Sequence, residues 1–258
     1  MQNQKRIMSL KKYLHPSLVP YAVKNYSHRM LTKLKRGFLL SKILEEKYFW
    51  KSLFKTTNNT LDPRSDTETL LEVFLQQYNK YYESKEKMTL MDMCCGTGAI
   101  GISLLMEKEN FHGLFMDISH KALQVCKHNI RKHKLWHKSK IIKKSLTHMK
   151  DRPIDFLVSN PPYLLLEEIK ANHVLIQDPF ISLYGGKDGL FFYYLLSLYI
   201  KKNVKYFACI EIDHYRKDQI LKIFQLCNFQ EIEIFKDING LDRVLYCRSE
   251  NKDYYQRP

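Results

Sequence analysis

Apolar residues recur along this chain first in short continuous runs and then in longer helical patterns. The runs predict buried strands at 88–93, 114–116, 141–142, 155–159 and 206–212. Helices are predicted at 66–82, 97–108, 119–133, 189–202 and 215–227, and the segments 231–235 and 243–248 are predicted to pair antiparallel at the end. Strands that alternate with helices indicate an α/β fold with a doubly wound, mostly parallel sheet of seven strands.

The first 62 residues follow a different pattern. Residues 1–44 predict short helices that are broken at Pro16 and Pro20. The aromatic pairs and the Thr/Asn cluster of residues 45–62 predict a hairpin-like connector. We therefore divide the chain into an N-terminal helical domain, 1–44, a connector hairpin, 45–62, and a main α/β domain, 63–258.

Composition restricts the class of protein. The 258 residues are 45% hydrophobic, carry a net charge of +15, and contain no uninterrupted apolar run long enough to span a bilayer. The charge favours nucleic acid, ribosomes or an acidic protein as partner, although a lysine-rich coding genome explains it equally well. Residues 1–44 lack Asp and Glu, which fits a retained docking module in a cytoplasmic protein or, alternatively, a mitochondrial transit peptide. The six cysteines form no C-x-x-C pair, so we expect reduced thiols and no metal site.

The most informative segment is Asn160-Pro161-Pro162-Tyr163, directly after the predicted strand 155–159. Two prolines stop the strand and remove two backbone donors. The resulting stiff loop offers two acceptors, the Asn160 side-chain oxygen and the Pro161 carbonyl, beside an aromatic ring. This arrangement is suited to gripping a planar –NH2 group by both hydrogens. The alternative is an ordinary proline turn.

A glycine-rich loop follows the first predicted strand of the main domain. Its sequence, residues 92–101, contains the pattern G-x-G-x-x-G, and Asp117 ends the next strand. Glycines let the backbone approach a ligand closely, and a carboxylate at that strand tip can accept both hydroxyl hydrogens of a ribose. Loop and acid together predict an adenosine-containing cofactor, either NAD or S-adenosylmethionine.

The tetrapeptide at 160–163 discriminates between these two cofactors. A hydride-transfer enzyme does not need a rigid –NH2 clamp, whereas a methyltransferase that acts on an amide or exocyclic amine does. Such a nitrogen is a poor nucleophile because its lone pair is delocalised. Accepting hydrogen bonds from both N–H groups returns electron density to the nitrogen and holds it in line for transfer.

Two further segments carry weaker signals. In residues 61–68, Leu-Asp-Pro-Arg-Ser-Asp-Thr-Glu, either Ser65 or Asp66 is predicted to cap the next helix. The loop 184–190 has three glycines in five residues. From the local sequence alone, an ordinary helix start explains the first segment as well as a functional role does. A left-handed turn explains the second equally well.

These segments, taken in order, resemble the peptide chain release factor glutamine N5-methyltransferases, the HemK/PrmC family. The similarity covers about residues 36–258 and includes 61–68, 92–100, 117–119, Asn129, 159–163, 178–179, 183–190, 211–212 and 237–244. The N-P-P-Y element alone is shared with adenine-N6 DNA methyltransferases, but its combination with 61–68 and 184–190 is more specific. The sequence departs from the family at Cys94, where a glycine is usual, at Asp213, where a glycine often follows Glu-Ile, and at Ser145 or Leu146, where an acid often contacts adenine.

The resemblance implies a class I methyltransferase (Rossmann-like) fold, S-adenosylmethionine as cofactor, and the glutamine of a Gly-Gly-Gln motif in a class 1 release factor as acceptor. It implies that the N-terminal domain helps to dock the protein substrate, and we expect a monomer. The residues expected to bind the cofactor are Asp92, Cys94, Gly96, Gly98, Ile100, Asp117, Ile118, Ser145 and Asn160. Those expected to bind substrate are Asn160, Pro161, Pro162 and Tyr163, with Arg64, Thr67 and Glu68 as substrate-loop candidates.

Three other functions remain open at this level. Two are methyl transfers, to a glutamine of a ribosomal protein or to adenine N6 of nucleic acid. A DNA enzyme usually carries a target-recognition insertion, and none is visible. The third is a non-catalytic basic binding module of the translation apparatus, for which Cys94 in the cofactor loop is the main support.

Overall fold

The computed structural model describes residues 28–82, 86–172 and 174–249. The chain divides into two compact units, Met1–Glu45 and Glu46–Pro258. The described part of the first unit contains two short helices, α1 (His28–Lys35) and α2 (Leu40–Leu44). The predicted helix breaks at Pro16 and Pro20 lie outside the described residues, and the docking role of residues 1–44 stays a prediction.

The second unit begins with a two-stranded hairpin, β1 (Glu46–Phe49) and β2 (Ser52–Lys55). Two contacts tie its turn to helices of the same unit: the Trp50 backbone N–H donates to Glu68 Oε1 (2.8 Å), and its indole N–H donates to Glu107 Oε1 (2.7 Å). The carboxamide of fully buried Asn129 accepts from Lys55 N–H and donates to the carbonyls of Lys55 and Thr97. The hairpin is thereby bonded to the glycine-rich loop.

Seven strands form the main sheet, in the order β5-β4-β3-β6-β7-β9-β8. The first five of that order pair in parallel, and β9 runs antiparallel to both β7 and β8. The strands are β3 (Met88–Met93), β4 (Phe111–Asp117), β5 (Ser139–Lys143), β6 (Ile154–Ser159), β7 (Val204–Glu211), β8 (Glu231–Lys236) and β9 (Asp242–Arg248). The predicted doubly wound, mostly parallel sheet of seven strands is confirmed.

Helices cover both faces of this sheet. The helices are α3 (Glu68–Tyr81), α4 (Ala99–Glu107), α5 (His120–Lys132), α6 (Leu166–Ala171), α7 (Phe191–Asn203) and α8 (Lys217–Gln225). One apolar core contains residues of α3, α4 and α5, and a second contains residues of α7 and α8. Alternate strand residues supply the two cores: Leu90 and Phe156 belong to the first, and Met91 and Leu157 to the second. The first core includes edge-to-face contacts of Phe74 with Phe111 and Phe156.

Two predictions about helix starts had different outcomes. The Ser119 hydroxyl accepts the Ala122 N–H (3.2 Å) and caps α5, as predicted. The prediction that Ser65 or Asp66 caps α3 is wrong, because α3 begins at Glu68 behind an N-cap Thr67 with no side-chain cap. Asp66 is instead paired with Arg243 (Oδ2 to Nη2, 3.2 Å). Helix α6 was not predicted.

Among the described residues, no helix combines the length and the apolar character needed to cross a membrane.

Candidate active site

The register of the parallel strands collects four predicted segments at one edge of the sheet. Met93 is paired with Met116 on one side and with Ser159 on the other, and Ser159 is paired with Ile210. The residues that follow these positions are Cys94, Asp117, Asn160 and Glu211. They lie at the carboxyl ends of adjacent strands, which is where open α/β sheets bind their ligands.

The glycine-rich loop turns sharply between β3 and α4. Cys94, Gly96 and Gly98 all have left-handed backbones, with φ of 61°, 52° and 78°. A Cβ at Gly98 would come within 2.7 Å of Cys126 Sγ, so this position needs glycine for both conformation and space. The Cys95 N–H donates to the Met116 carbonyl (3.0 Å), which holds the loop against the end of β4.

Asp92 supports this loop from beneath. Its buried Oδ2 accepts the Gly101 N–H (2.9 Å), and its Oδ1 has no hydrogen-bond partner among the described residues. Burial raises the pKa of Asp92 to about 7; the Gly101 N–H opposes this shift, and the nearby Asp117 charge adds to it. Through the Gly101 N–H, Asp92 ties the end of β3 to the first turn of α4.

Asp117 joins the loop to the end of β4. Its Oδ2 accepts the Gly96 N–H (2.9 Å) and its Oδ1 accepts the Ser119 N–H (2.8 Å). Burial raises the pKa of this carboxyl, and the backbone donors at Ser119, Gly96 and Ile118 partly offset the shift. Each oxygen keeps a second lone pair, so the carboxylate remains able to accept hydroxyl hydrogens of a ribose.

A cleft of about 640 Å³ opens in front of this loop. Six of the nine predicted cofactor residues line it: Cys94, Gly96, Asp117, Ile118, Ser145 and Asn160. Asp92, Gly98 and Ile100 do not; the first two shape the loop from behind, and Ile100 faces a small cavity beside it. The cleft walls also include Met116, Leu146, Phe180, Ile181, Phe191 and Phe192, which the sequence analysis did not identify. An apolar cleft with a carboxylate at a strand tip fits an adenosine group.

A second cleft, of about 510 Å³, lies on the other side of the Asn160–Tyr163 loop. Its lining includes all four residues of that loop together with Arg64, Asp66 and Glu211. Asn160 and Pro162 line both clefts. The loop therefore separates two spaces, one suited to a cofactor and the other accessible to a substrate side chain.

The Asn160–Tyr163 loop is held by side chains from distant parts of the chain. Asn160 Nδ2 donates to Thr67 Oγ1 (3.3 Å), and Tyr163 Oη donates to Glu211 Oε1 (3.3 Å). Pro161 and Pro162 are buried. Neither Asn160 Oδ1 nor the Pro161 carbonyl accepts a hydrogen bond from any residue that the structure describes. Both acceptors predicted from the sequence are therefore available to a ligand.

The three substrate-loop candidates occupy different environments. Arg64 lines the second cleft and is paired with buried Asp178 (2.6 Å). The Thr67 hydroxyl is buried and donates to Glu211 Oε2 (2.6 Å). Glu68 lines neither of these two clefts and binds the hairpin turn at Trp50.

The loop 184–190 packs against the Asn160–Tyr163 loop, which we call the clamp. Leu164 N–H donates to the Leu183 carbonyl (2.8 Å), and Gly185 N–H donates to the Leu164 carbonyl (2.9 Å). A Cβ at Gly185 would lie 2.5 Å from the Tyr163 Cα, and one at Gly189 would lie 2.6 Å from the Tyr163 carbonyl oxygen. These glycines are required by backbone packing, a relationship that the local sequence does not reveal.

Comparisons with known proteins identify the fold. Residues 58–181 match the family model "Methyltransferase small domain". Among solved structures, the hMettl16 catalytic domain in complex with MAT2A 3'UTR hairpin 6 superposes with a TM-score of 0.59 at 13% identity, covering 76% of this chain and 74% of that one. The N-terminal domain of human METTL16 in complex with SAH gives a TM-score of 0.53 at 13% identity, over 74% and 72% of the two chains. The fold is that of the class I methyltransferases.

The sequence relatives are more specific. The release factor glutamine methyltransferase of Clostridium botulinum is 34% identical over 76% of this chain and 70% of that protein. Those of Bacillus subtilis and Dictyoglomus turgidum are 31% and 34% identical over 82% and 84% of this chain, and over 75% and 78% of the relatives. This chain belongs to the release factor glutamine methyltransferase family, as its motifs indicated.

We expect Asp117→Ala to weaken S-adenosylmethionine binding about 10- to 100-fold, the factor that corresponds to roughly 1.5–3 kcal/mol for a charge-assisted hydrogen bond. Calorimetric titration measures the affinity. Asp151→Ala is the control, because Asp151 is an exposed carboxylate paired with Lys202 outside both clefts. Unchanged affinity in Asp117→Ala would remove Asp117 from the cofactor site.

We expect Gly185→Ala to impair the clamp, since the added methyl group meets the Tyr163 backbone, which cannot move aside as a flexible side chain can. Overpacking of this kind costs about 1–3 kcal/mol, and kcat should fall. Thermal unfolding and steady-state kinetics measure the two effects. Gly240→Ala is the comparison, because a Cβ there meets nothing within 4 Å and only its positive φ is strained. Equal stability and activity in both variants would contradict the packing role.

Proposed function

We propose that this protein transfers a methyl group from S-adenosylmethionine to the side-chain amide nitrogen of the glutamine in the Gly-Gly-Gln motif of class 1 peptide chain release factors. The observation that carries the proposal is the position of Asn160 where the two clefts meet, with its oxygen and that of Pro161 unused by described residues. The relatives, which are release factor glutamine methyltransferases, support the same substrate.

The cofactor residues would hold the adenosine and methionine parts in the first cleft. Asp117 would accept the ribose hydroxyls, and the apolar wall that includes Phe191 and Leu146 would enclose the adenine. When bound, S-adenosylmethionine supplies an electrophilic methyl group on a sulfonium sulfur.

The clamp residues would act on the substrate amide. Asn160 Oδ1 would accept one amide hydrogen and the Pro161 carbonyl the other, while the Tyr163 ring would restrict the amide plane. Accepting both hydrogens localises the lone pair on nitrogen. After methylation the nitrogen carries a formal positive charge and loses one of its protons to solvent, so no residue must act as a base before transfer.

The remaining expectations about partners extend this proposal. Residues 1–44 would help to dock the release factor, the protein would act as a monomer in the cytoplasm, and no nucleic acid would be required. Deleting residues 1–35 would then raise KM for a whole release factor more than KM for a short Gly-Gly-Gln peptide.

We expect Asn160→Ala to lower methyl transfer by roughly two to three orders of magnitude, chiefly in kcat, the scale of losing one preorganised partner at a reacting centre. Cofactor affinity should change little, because the affected oxygen would bind the substrate amide and the other residues that line the first cleft are unchanged. Tyr163→Phe, which keeps the ring, should be milder than Tyr163→Ala. An Asn160→Ala enzyme of full activity would refute the clamp.

The acceptor is tested with radiolabelled S-adenosylmethionine, a release factor, a ribosomal protein fraction and DNA. Label on the release factor that disappears when its Gly-Gly-Gln glutamine is replaced by alanine supports the proposal. Label on DNA adenine or on a ribosomal protein, with none on the release factor, would replace it with one of the alternative substrates.

A further inference from the structure

Glu211 ends β7 beside the clamp and is only 1% exposed. Its two carboxylate oxygens have different partners: Oε2 accepts from the Thr67 hydroxyl (2.6 Å) and Oε1 accepts from the Tyr163 hydroxyl (3.3 Å). Thr67 is in turn bonded to Asn160 (3.3 Å). One buried acid thus contacts both functional side chains of the clamp, Tyr163 directly and Asn160 through a hydroxyl.

The chemistry of these groups determines the direction of each hydrogen bond. An ionised carboxylate only accepts, so the single Thr67 proton must point at Glu211. The Thr67 oxygen then has only lone pairs to offer Asn160, which must present its NH2 group to it. The Asn160 oxygen is consequently turned away from Thr67, as the clamp requires for accepting a substrate hydrogen.

We propose that Glu211 is a positioning residue of the methyl-transfer site, which through the Thr67 hydroxyl fixes the orientation of the Asn160 carboxamide. This role rests on the proposed function for its effect on catalysis. It does not require Glu211 to touch substrate or cofactor.

The negative charge of the Glu211 carboxylate is only partly compensated by its surroundings. Arg243 is the nearby cation, but it is paired with Asp237 (Nε to Oδ2, 3.0 Å) and with Asp66 (Nη2 to Oδ2, 3.2 Å). Tyr193 donates to the Glu211 backbone carbonyl (3.2 Å) and not to its carboxylate. Burial therefore raises the pKa of Glu211 to about 7; Asp66 adds to the shift, while Thr67, Arg243 and Tyr163 oppose it.

Protonation of Glu211 would reverse the direction of the relay, the two hydrogen bonds that link Glu211 through Thr67 to Asn160. A protonated Glu211 donates to the Thr67 oxygen, which frees the Thr67 proton to point at Asn160. The Asn160 carboxamide then favours the opposite orientation, with its NH2 group toward the substrate amide. An NH2 group cannot accept the amide hydrogen. Because the ionised acid is the working form, kcat should fall about tenfold per pH unit below pH 7.

The first experiment measures kcat and KM for a release factor from pH 6 to 9 at saturating S-adenosylmethionine. Saturation is needed because the pKa of Asp92 under the cofactor loop also lies at about 7. Glu211→Gln fills the same space but can donate or accept, so kcat above pH 8 should fall about tenfold and the acid limb should disappear. Thr67→Val should lose a similar factor, and Thr67→Ser should restore it. KM and cofactor affinity should change little in all three variants.

Tyr193→Phe is the matched control. It removes an equally buried hydroxyl that contacts Glu211 only at the backbone, so the wild-type pH profile and kcat should persist. Wild-type kcat and an unchanged acid limb in Glu211→Gln would overturn the proposal, as would equal losses in Tyr193→Phe and Thr67→Val.

A second readout does not depend on turnover. The Asn160 side-chain NH2 resonances are followed by NMR between pH 5.5 and 9 in the full chain. The relay predicts that they shift through a transition near pH 7 in wild type and that the transition is absent in Glu211→Gln. If the wild type does not methylate a release factor but shows this transition, the proposed function fails and the positioning role stands. Asn160 signals that respond neither to pH nor to Glu211→Gln overturn it regardless of activity.

Discussion

The parallel register of β4, β3, β6 and β7 is the constraint on which the site depends. It aligns the four strand ends, so that the turn after β3, the acid after β4, the clamp after β6 and the glutamate that ends β7 are adjacent along one edge. A parallel sheet leaves this edge open to ligands because the connecting helices return along its faces. The two apolar cores fix the register, since a slip of one residue would move Leu90 and Met91 to the wrong faces.

The individual strands and most helices could be predicted because their signals are local. A buried strand in a parallel sheet is a continuous apolar run, and the helices between such strands need only a core-facing stripe. The stiff loop at 160–163 could also be predicted, because two consecutive prolines after a strand have few structural uses; its role as a clamp stays a proposal. The cap of α3 could not be predicted in this way. Asp is a common N-cap residue, but the side chain of Asp66 is paired with Arg243, which is distant in sequence.

The parts of the site that could not be predicted all depend on contacts distant in sequence. Thr67 and Glu211 are separated by 144 residues, and neither segment alone shows that the two side chains are hydrogen-bonded. A signal existed, because a carboxylate that ends an otherwise apolar strand is expensive to bury without a partner. The glycines of 184–190 likewise suggest only a turn until the Tyr163 backbone is seen against Gly185. Contacts between residues distant in sequence are therefore harder to predict than the motifs that follow single strands.

Two of the three departures from the family pattern, Cys94 and Asp213, have structural explanations that do not require loss of cofactor binding. Cys94 adopts a left-handed conformation (φ 61°) that costs a non-glycine residue about 1–2 kcal/mol. Its side chain packs against the apolar core on the α7–α8 face, and burial of an apolar side chain offsets a cost of that size. Asp213 accepts the Tyr215 N–H (3.1 Å) and is paired with buried Arg216, which in turn lies against Gly189 behind the clamp.

A chain that had lost its catalytic role would have no reason to keep a clamp with two free acceptors, a glycine loop packed behind it and a buried acid oriented toward it. The geometry therefore favours an enzyme over a degenerate binding module, and Cys94 provides no support for the module.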